Sequence, residues 1–228
     1  MNATYYIGFD FSIAKPACCV IKEQNNEVTY AFHYFPKNQS AKDIALYRDL
    51  SVNAMSRDIE NFKWEYSESV VLDIYLAKEL ARMIVAEVFD PILPEDGVRS
   101  YVNIYVATEG LSFASKGQSM LDLASYKGVF LSEVMNVIEA EYIKTFPPTT
   151  IKKFAGCSKG KDTKDKDLML KALLGKEGCE TIHPLIKDLN STEPKLMKKT
   201  RLTAGVDDLV DAYWCAELLR QTIKNEQS

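Results

Sequence analysis

The chain has 228 residues, 46% hydrophobic and 26% charged, with a net charge of −4 and five cysteines. That length gives one large domain or two small ones of ordinary globular composition, and the acidic balance argues weakly against a nucleic-acid binder. No basic leader precedes the first apolar run, no apolar stretch approaches the ~18 residues of a membrane span, and no Cys-x-x-Cys pair offers a zinc framework. The cysteines therefore read as reduced thiols, and the predicted compartment is cytoplasmic.

Three strands open the chain: Thr4 to Asp10, Ala17 to Lys22 and Glu27 to Phe35. Lys15-Pro16 and Gln24-Asn25-Asn26 supply tight turns, so the three form an antiparallel meander. Residues 38 to 64 are polar, with helical spacing in places. An apolar stripe from Val70 to Val88 predicts a helix over Ser67 to Phe89. Tyr101 to Glu109 is apolar at almost every position, which predicts a strand buried on both faces. After a loop, Leu121 to Thr145 reads as one helix stopped by Pro147-Pro148. Gly128 inside it costs ~1 kcal/mol relative to Ala and is expected to permit close packing. Thr149 to Ala155 reads as a short strand and Thr163 to Leu174 as a helix. Residues 175 to 202 show little periodicity. Val206 to Ile223 is the last helix. The order predicts one α/β domain over residues 1–228: a mixed five-stranded sheet, three antiparallel strands then parallel ones, with helices on both faces.

Four acidic residues stand out. Asp10 ends the first strand, Glu109 ends the buried strand, and Asp208 and Asp211 open the last helix. Spaced three apart, Asp208 and Asp211 share a helix face, and Asp207 points elsewhere. Singly, each has a plain structural explanation as a strand-end or helix-start residue. Together they describe a cluster whose repulsion a hard divalent cation resolves. Oxygen-only ligation favours Mg²⁺, with Mn²⁺ able to substitute. Two such ions ~3.5–4 Å apart stabilise the attacking and leaving oxygens of a phosphoryl displacement.

Charge is unevenly spread. From Lys144 to Lys176 there are nine lysines and three aspartates. Lys153, Lys159 and Lys161 fit contacts to a phosphate backbone, and each neutralised phosphate would make binding more salt-sensitive. Gly156 and Gly160 fit either close approach to that backbone or plain turns.

These segments, in this order, resemble the RuvC-type Holliday junction resolvases of the RNase H-like (retroviral integrase) superfamily. Ile7-Gly8-Phe9-Asp10-Phe11-Ser12 is similar to the family's first acidic strand and Val106-Ala107-Thr108-Glu109 to its second. Lys127-Gly128-Val129-Phe130, Pro147 to Lys153 and Gly156 to Lys166 are similar to its helix, short strand and Lys/Gly segment. Asp208-Leu209-Val210-Asp211-Ala212 is similar to its closing Asp-x-x-Asp-Ala. The resemblance implies an RNase H-like fold and a homodimer that nicks opposed strands of a four-way DNA junction. It implies that Asp10, Glu109, Asp208 and Asp211 hold two Mg²⁺ ions. It also implies that Lys152 and Lys164, with Lys166 as a rival for the latter, contact the scissile backbone. Residues 36–95 and 175–202 are longer than in a compact bacterial member, as a viral or phage branch would have them. The family's aromatic after the second acidic strand has only Leu111 and Phe113 as counterparts.

Competing readings remain open. They are a terminase-like nuclease, an actin- or Hsp70-like nucleotide-binding protein, and a non-catalytic DNA-binding scaffold. The chain carries no Gly-x-x-x-x-Gly-Lys-Ser/Thr loop for a terminase ATPase, and Asp10-Phe11-Ser12 lacks the Asp-x-Gly turn of the actin type. His33 and His183 are weak ligand candidates.

Overall fold

A computed structural model describes residues 3–56, 66–93, 102–111, 118–157, 168–198 and 201–228. Strands β1 (Ala3–Asp10), β2 (Ala17–Gln24) and β3 (Glu27–Tyr34) form the expected antiparallel meander. Asn25 and Asn26 take left-handed φ values of 54° and 65°, the conformation a two-residue hairpin requires. Helix α1 (Ala41–Asp49) is capped by Ser40, whose side chain accepts from the Asp43 N–H. It leads to the short strand β4 (Val52–Ala54), which pairs parallel to β3. Helix α2 (Tyr66–Phe89) precedes β5 (Val102–Glu109), which pairs parallel to β1.

The middle of the chain departs from the sequence expectation. Helix α3 (Gln118–Met135) stops ten residues before the predicted Thr145, and a 3-10 turn (Ala140–Tyr142) follows. Strand β6 (Ile143–Phe146) then pairs parallel to β5. The predicted strand at Thr149 to Ala155 is instead helix α4 (Pro148–Phe154). Pro148 sits at the first helical position, where a missing N–H costs nothing, so the proline pair starts a helix as well as ending a strand. β5 would otherwise leave one edge unpaired, and Ile143–Phe146 covers it.

Helices α5 (Leu168–Leu174) and α6 (Pro184–Leu189) follow, the latter capped by His183, which accepts from the Leu185 N–H at 3.2 Å. A two-stranded ribbon, β7 (Met197–Lys198) with β8 (Arg201–Leu202), leads to the long α7 (Val206–Glu226). The main sheet has six strands, not five, in the order β4-β3-β2-β1-β5-β6. Two of the six, β4 and β6, are not among the expected strands, and β4 is too short to show in the pattern. Apart from that edge, the sheet is the expected mixed one, three antiparallel strands followed by parallel ones.

The two faces of the sheet carry separate cores. Ile7, Phe9, Cys18 and Val20 face α2 and α3, packing with Leu80, Ile84, Phe130 and Val134. Tyr6, Cys19, Ile21, Phe32 and Tyr34 face the other way, onto α1, α5, α6 and α7. The helix-on-both-faces expectation holds. Among the described residues, no helix is long and apolar enough to cross a membrane. All five cysteines are free thiols.

α7 lies unusually close to β1. A Cβ on Gly8 would sit 2.6 Å from the Ala212 carbonyl oxygen and 2.8 Å from the Ala216 Cα. Gly128, by contrast, has nothing within 4 Å of its Cβ position. The close approach expected at Gly128 is therefore found at Gly8. The far end of α7 is also fixed. Arg220 and Lys224 both pair with Glu23 at 2.6 Å, and the Tyr30 hydroxyl donates to Glu217 at 2.8 Å.

Candidate active site

β1 and β5 run parallel with Phe9 opposite Thr108, so the next pair along is Asp10 and Glu109. Alternation decides which way they point. On β1, Ile7 and Phe9 face α2 and α3, which turns Asp10 toward α7. On β5, Ile104 and Val106 face α2 and α3 while Ala107 faces α7, so Glu109 also turns toward α7. On α7, Ala212 and Ala216 lie against Gly8. Asp208 is one turn before Ala212 on that same stripe, and Asp211 is beside it. Both carboxylates therefore extend a sheet-facing stripe past the end of β1. Phe11 anchors the chain just beyond Asp10, with its ring stacked on Phe130 at 4.8 Å.

The four carboxylates act on one another. Burial pushes Asp10 well above the usual carboxylate range, and the charges of Asp208, Glu109 and Asp211 push it further. The side-chain hydrogen bond between Asp10 and Glu109 raises Asp10 and partly lowers Glu109. Glu109 is nonetheless raised by burial, against the opposing charges of Lys152 and Lys127. Asp211 is raised to about 7 by burial, then by Glu109 and Asp208, with Lys152 opposing. Asp207 is exposed on the outer side of the first turn, as the spacing predicted.

Two lysines border the cluster. Lys152 is exposed in the last turn of α4, near enough to lower both Glu109 and Asp211. Phe154 against Trp214 (centroids 6.0 Å apart) and the buried Ile151 seat α4 on α7. Lys153 is also exposed on α4. Lys127 is buried at 6% exposure, and its ammonium donates to the Glu109 carbonyl oxygen. Burial lowers its pKa, and the charges of Cys215, Glu109 and Asp10 oppose that shift. Composition gave no reason to single out Lys127. The available signal was a lone cation in the apolar stripe Leu123, Lys127, Phe130, Val134.

Lys159, Lys161, Lys164, Lys166 and Phe113 lie outside the described residues. Leu111 is half-buried, two residues beyond β5. The histidines are structural. Burial lowers both to about 4, His33 stacking near Phe35 and His183 packing edge-on to Phe32.

Among the described residues, no three His, Cys, Asp or Glu side chains stand together as a ready-made metal ligand set. The fit to a cation rests on donor chemistry instead. Four mutually repelling, half-buried carboxylates supply only hard oxygen donors, the set that Mg²⁺ and Mn²⁺ take. Without a cation, protons must offset the repulsion, and the consequence for stability has a definite sign. Asp211 binds its proton more tightly folded (about 7) than unfolded (3.8), so the folded state holds more protons between those values. Stability in EDTA should therefore fall as pH rises from 4 through 7 and level off above, a loss on the order of a few kcal/mol. Melting temperatures at pH 5 and pH 8 check this, and a higher value at pH 8 would contradict it.

No protein-family model matches the sequence, and no curated protein matches it. Solved structures do. Thermus thermophilus RuvC in complex with a Holliday junction substrate is 14% identical, with a TM-score of 0.45 over 100% of this chain and 96% of that one. A second Thermus thermophilus RuvC structure is 12% identical, at a TM-score of 0.40 over 95% and 96%. Fowlpox virus resolvase with its substrate Holliday junction DNA is 11% identical, at a TM-score of 0.46 over 96% and 98%. The likeness is one of fold. The strand order and the directions of β1, β2, β3, β5 and β6 are those of the expected mixed sheet.

Proposed function

We propose that the chain is a divalent-metal-dependent, structure-selective DNA endonuclease. In this reading it acts as a homodimer that places paired nicks in four-way junctions. One observation carries the nuclease reading: Asp10, Glu109, Asp208 and Asp211 come from three separate segments and share one charge environment at the C-terminal ends of β1 and β5. The junction and the homodimer come from the sequence resemblance.

Asp10, Glu109, Asp208 and Asp211 would hold Mg²⁺, which when bound activates water and neutralises charge on the leaving oxygen of a phosphodiester. The rest is the work of this chain's side chains. Lys127 holds the Glu109 carbonyl and so fixes the end of β5. Lys152 faces solvent beside the carboxylates, where a scissile phosphate can meet a positive charge before it meets the acids. Lys153 adds to that charge, and Lys159, Lys161, Lys164 and Lys166 are proposed to extend it.

Lys152→Ala is expected to weaken junction binding evenly across sequences and to reduce the salt slope by about one. Lys152 also holds Glu109 and Asp211 down, so its loss should move the acidic limb of the pH–rate profile upward. Binding titrations in graded salt and a rate profile from pH 5 to 9 measure both.

The proposal itself is tested by incubating the protein with a labelled four-way junction, a flap, a fork and linear duplex, with Mg²⁺ or EDTA. Symmetric nicking of the junction that needs Mg²⁺ is expected. Equal cutting of every DNA form would leave a nuclease and remove the junction reading. No cutting with Mg²⁺ or Mn²⁺ would remove both.

A further inference from the structure

Residues 36–95 and 175–202 have no part in the chemistry proposed above. Both nevertheless reach the same three residues, Thr203, Ala204 and Gly205, immediately ahead of α7. From the first segment, the Tyr47 hydroxyl on α1 donates to the Ala204 carbonyl oxygen at 2.9 Å. The Tyr34 hydroxyl, at the end of β3, donates to the same oxygen at 3.2 Å. A carbonyl has two lone pairs and can take both. The two rings are wholly buried, with centroids 5.0 Å apart. From the second segment, the Leu196 carbonyl accepts both the Thr203 N–H and the Thr203 hydroxyl, each at 2.7 Å.

Gly205 makes the fit one-sided. Its φ is +102°, and a Cβ would land on the Tyr34 ring. The first helical turn starts at once, with the Leu209 N–H donating to the Gly205 carbonyl at 3.0 Å. Asp208 is the third residue after Gly205 and Asp211 the sixth. A shift of Ala204 is thus passed directly to both carboxylates, with no loop between to absorb it.

We propose that Tyr34 and Tyr47 are positioning residues which, with Thr203 held on Leu196, set where α7 presents Asp208 and Asp211 to a divalent cation. This rests on the function proposed above. Both long segments then have a role, because they brace one end of the metal-binding helix from two sides. Tyr34 is supplied by the end of β3, and Tyr47 by α1, which lies within the first of those segments.

The test uses Tyr47→Phe, the double variant Tyr34→Phe/Tyr47→Phe and Thr203→Val, which remove hydroxyls and keep the packing shapes. Three readings are taken: amide hydrogen exchange over residues 203–208, Mn²⁺ affinity by calorimetry without DNA, and junction cutting. Exchange over 203–208 should quicken about tenfold in Tyr47→Phe while exchange in β1 and β2 stays put. Mn²⁺ affinity should fall about tenfold, as when a ligand's supporting hydrogen bond is lost. kcat should fall while KM for the junction holds, because DNA binding does not pass through these phenols. A purely structural role would lower the melting temperature and leave Mn²⁺ affinity untouched, and that result overturns the proposal. So does wild-type exchange over 203–208 in folded Tyr47→Phe. A wild-type chain that binds no Mn²⁺ overturns the function proposed above instead; quickened exchange in Tyr47→Phe would then still uphold the brace.

Discussion

Asp211→Asn is expected to abolish nicking and at the same time to make the cation-free protein more stable. The substitution keeps size and shape and removes one of four mutually repelling charges. Lost charge stabilisation of several kcal/mol corresponds to a rate loss of about 10²–10³-fold or more. Junction binding should survive, since the phosphate contacts proposed for Lys152 and its neighbours are untouched. In EDTA at pH 8 the melting temperature should rise, because the wild-type carboxylate is held in a setting that favours its neutral form (pKa about 7). The two readouts move in opposite directions, which separates a metal ligand from a residue needed for folding. Retained cutting, or a lower melting temperature in EDTA, would remove Asp211 from the site.

Gly8→Ala is expected to be the most damaging single-methyl change in the sheet. The added carbon would meet the Ala212 carbonyl oxygen at 2.6 Å and the Ala216 Cα at 2.8 Å. Both are backbone atoms of a helix and cannot swing aside. Overpacking of this kind costs about 3 kcal/mol or more. Where the protein still folds, α7 must retreat from β1, taking Asp208 and Asp211 away from Asp10 and Glu109, so metal affinity should fall as well. Gly128→Ala is the matched control. Nothing lies within 4 Å of its Cβ position, and helix propensity predicts a gain of up to ~1 kcal/mol. Urea melts of the two variants should shift in opposite directions. A Gly8→Ala protein as stable as the wild type would rule out the close approach.

The candidate acids stood out in the sequence by their positions taken together. Asp10 and Glu109 end apolar strands, and the Asp208–Asp211 spacing repeats a helical face. The meander, the buried β5 and the last helix followed from periodicity and turn residues. What failed had a common cause, since tertiary pairing outweighed local pattern. Ile143–Phe146 looks helical beside Val134, Val137 and Ile138, but β5 has an edge to cover. Thr149-Thr150-Ile151 looks like a strand, but Pro148 starts a helix that docks on Trp214. β4 is three residues long, below what alternation can reveal. Gly8 and Gly128 carry the same letter, and only the partner across the gap distinguishes them. Lys127 was the most recoverable omission. A single ammonium in an apolar helical stripe needs a buried acceptor, and the end of β5 provides one.

Helix α7 is gripped at both ends, by Glu23 and Tyr30 at the one and by Ala204 at the other, with Gly8 pressed against its middle. A looser helix would let its carboxylates drift toward solvent whenever they stood uncompensated. This one cannot, so in the proposed function the cluster is an ion exchanger of fixed geometry, at which protons and divalent cations would compete for the same negative charge. Acidity and chelation are then expected to be two routes to the same inactive protein, one filling the exchanger with the wrong ion and the other emptying it.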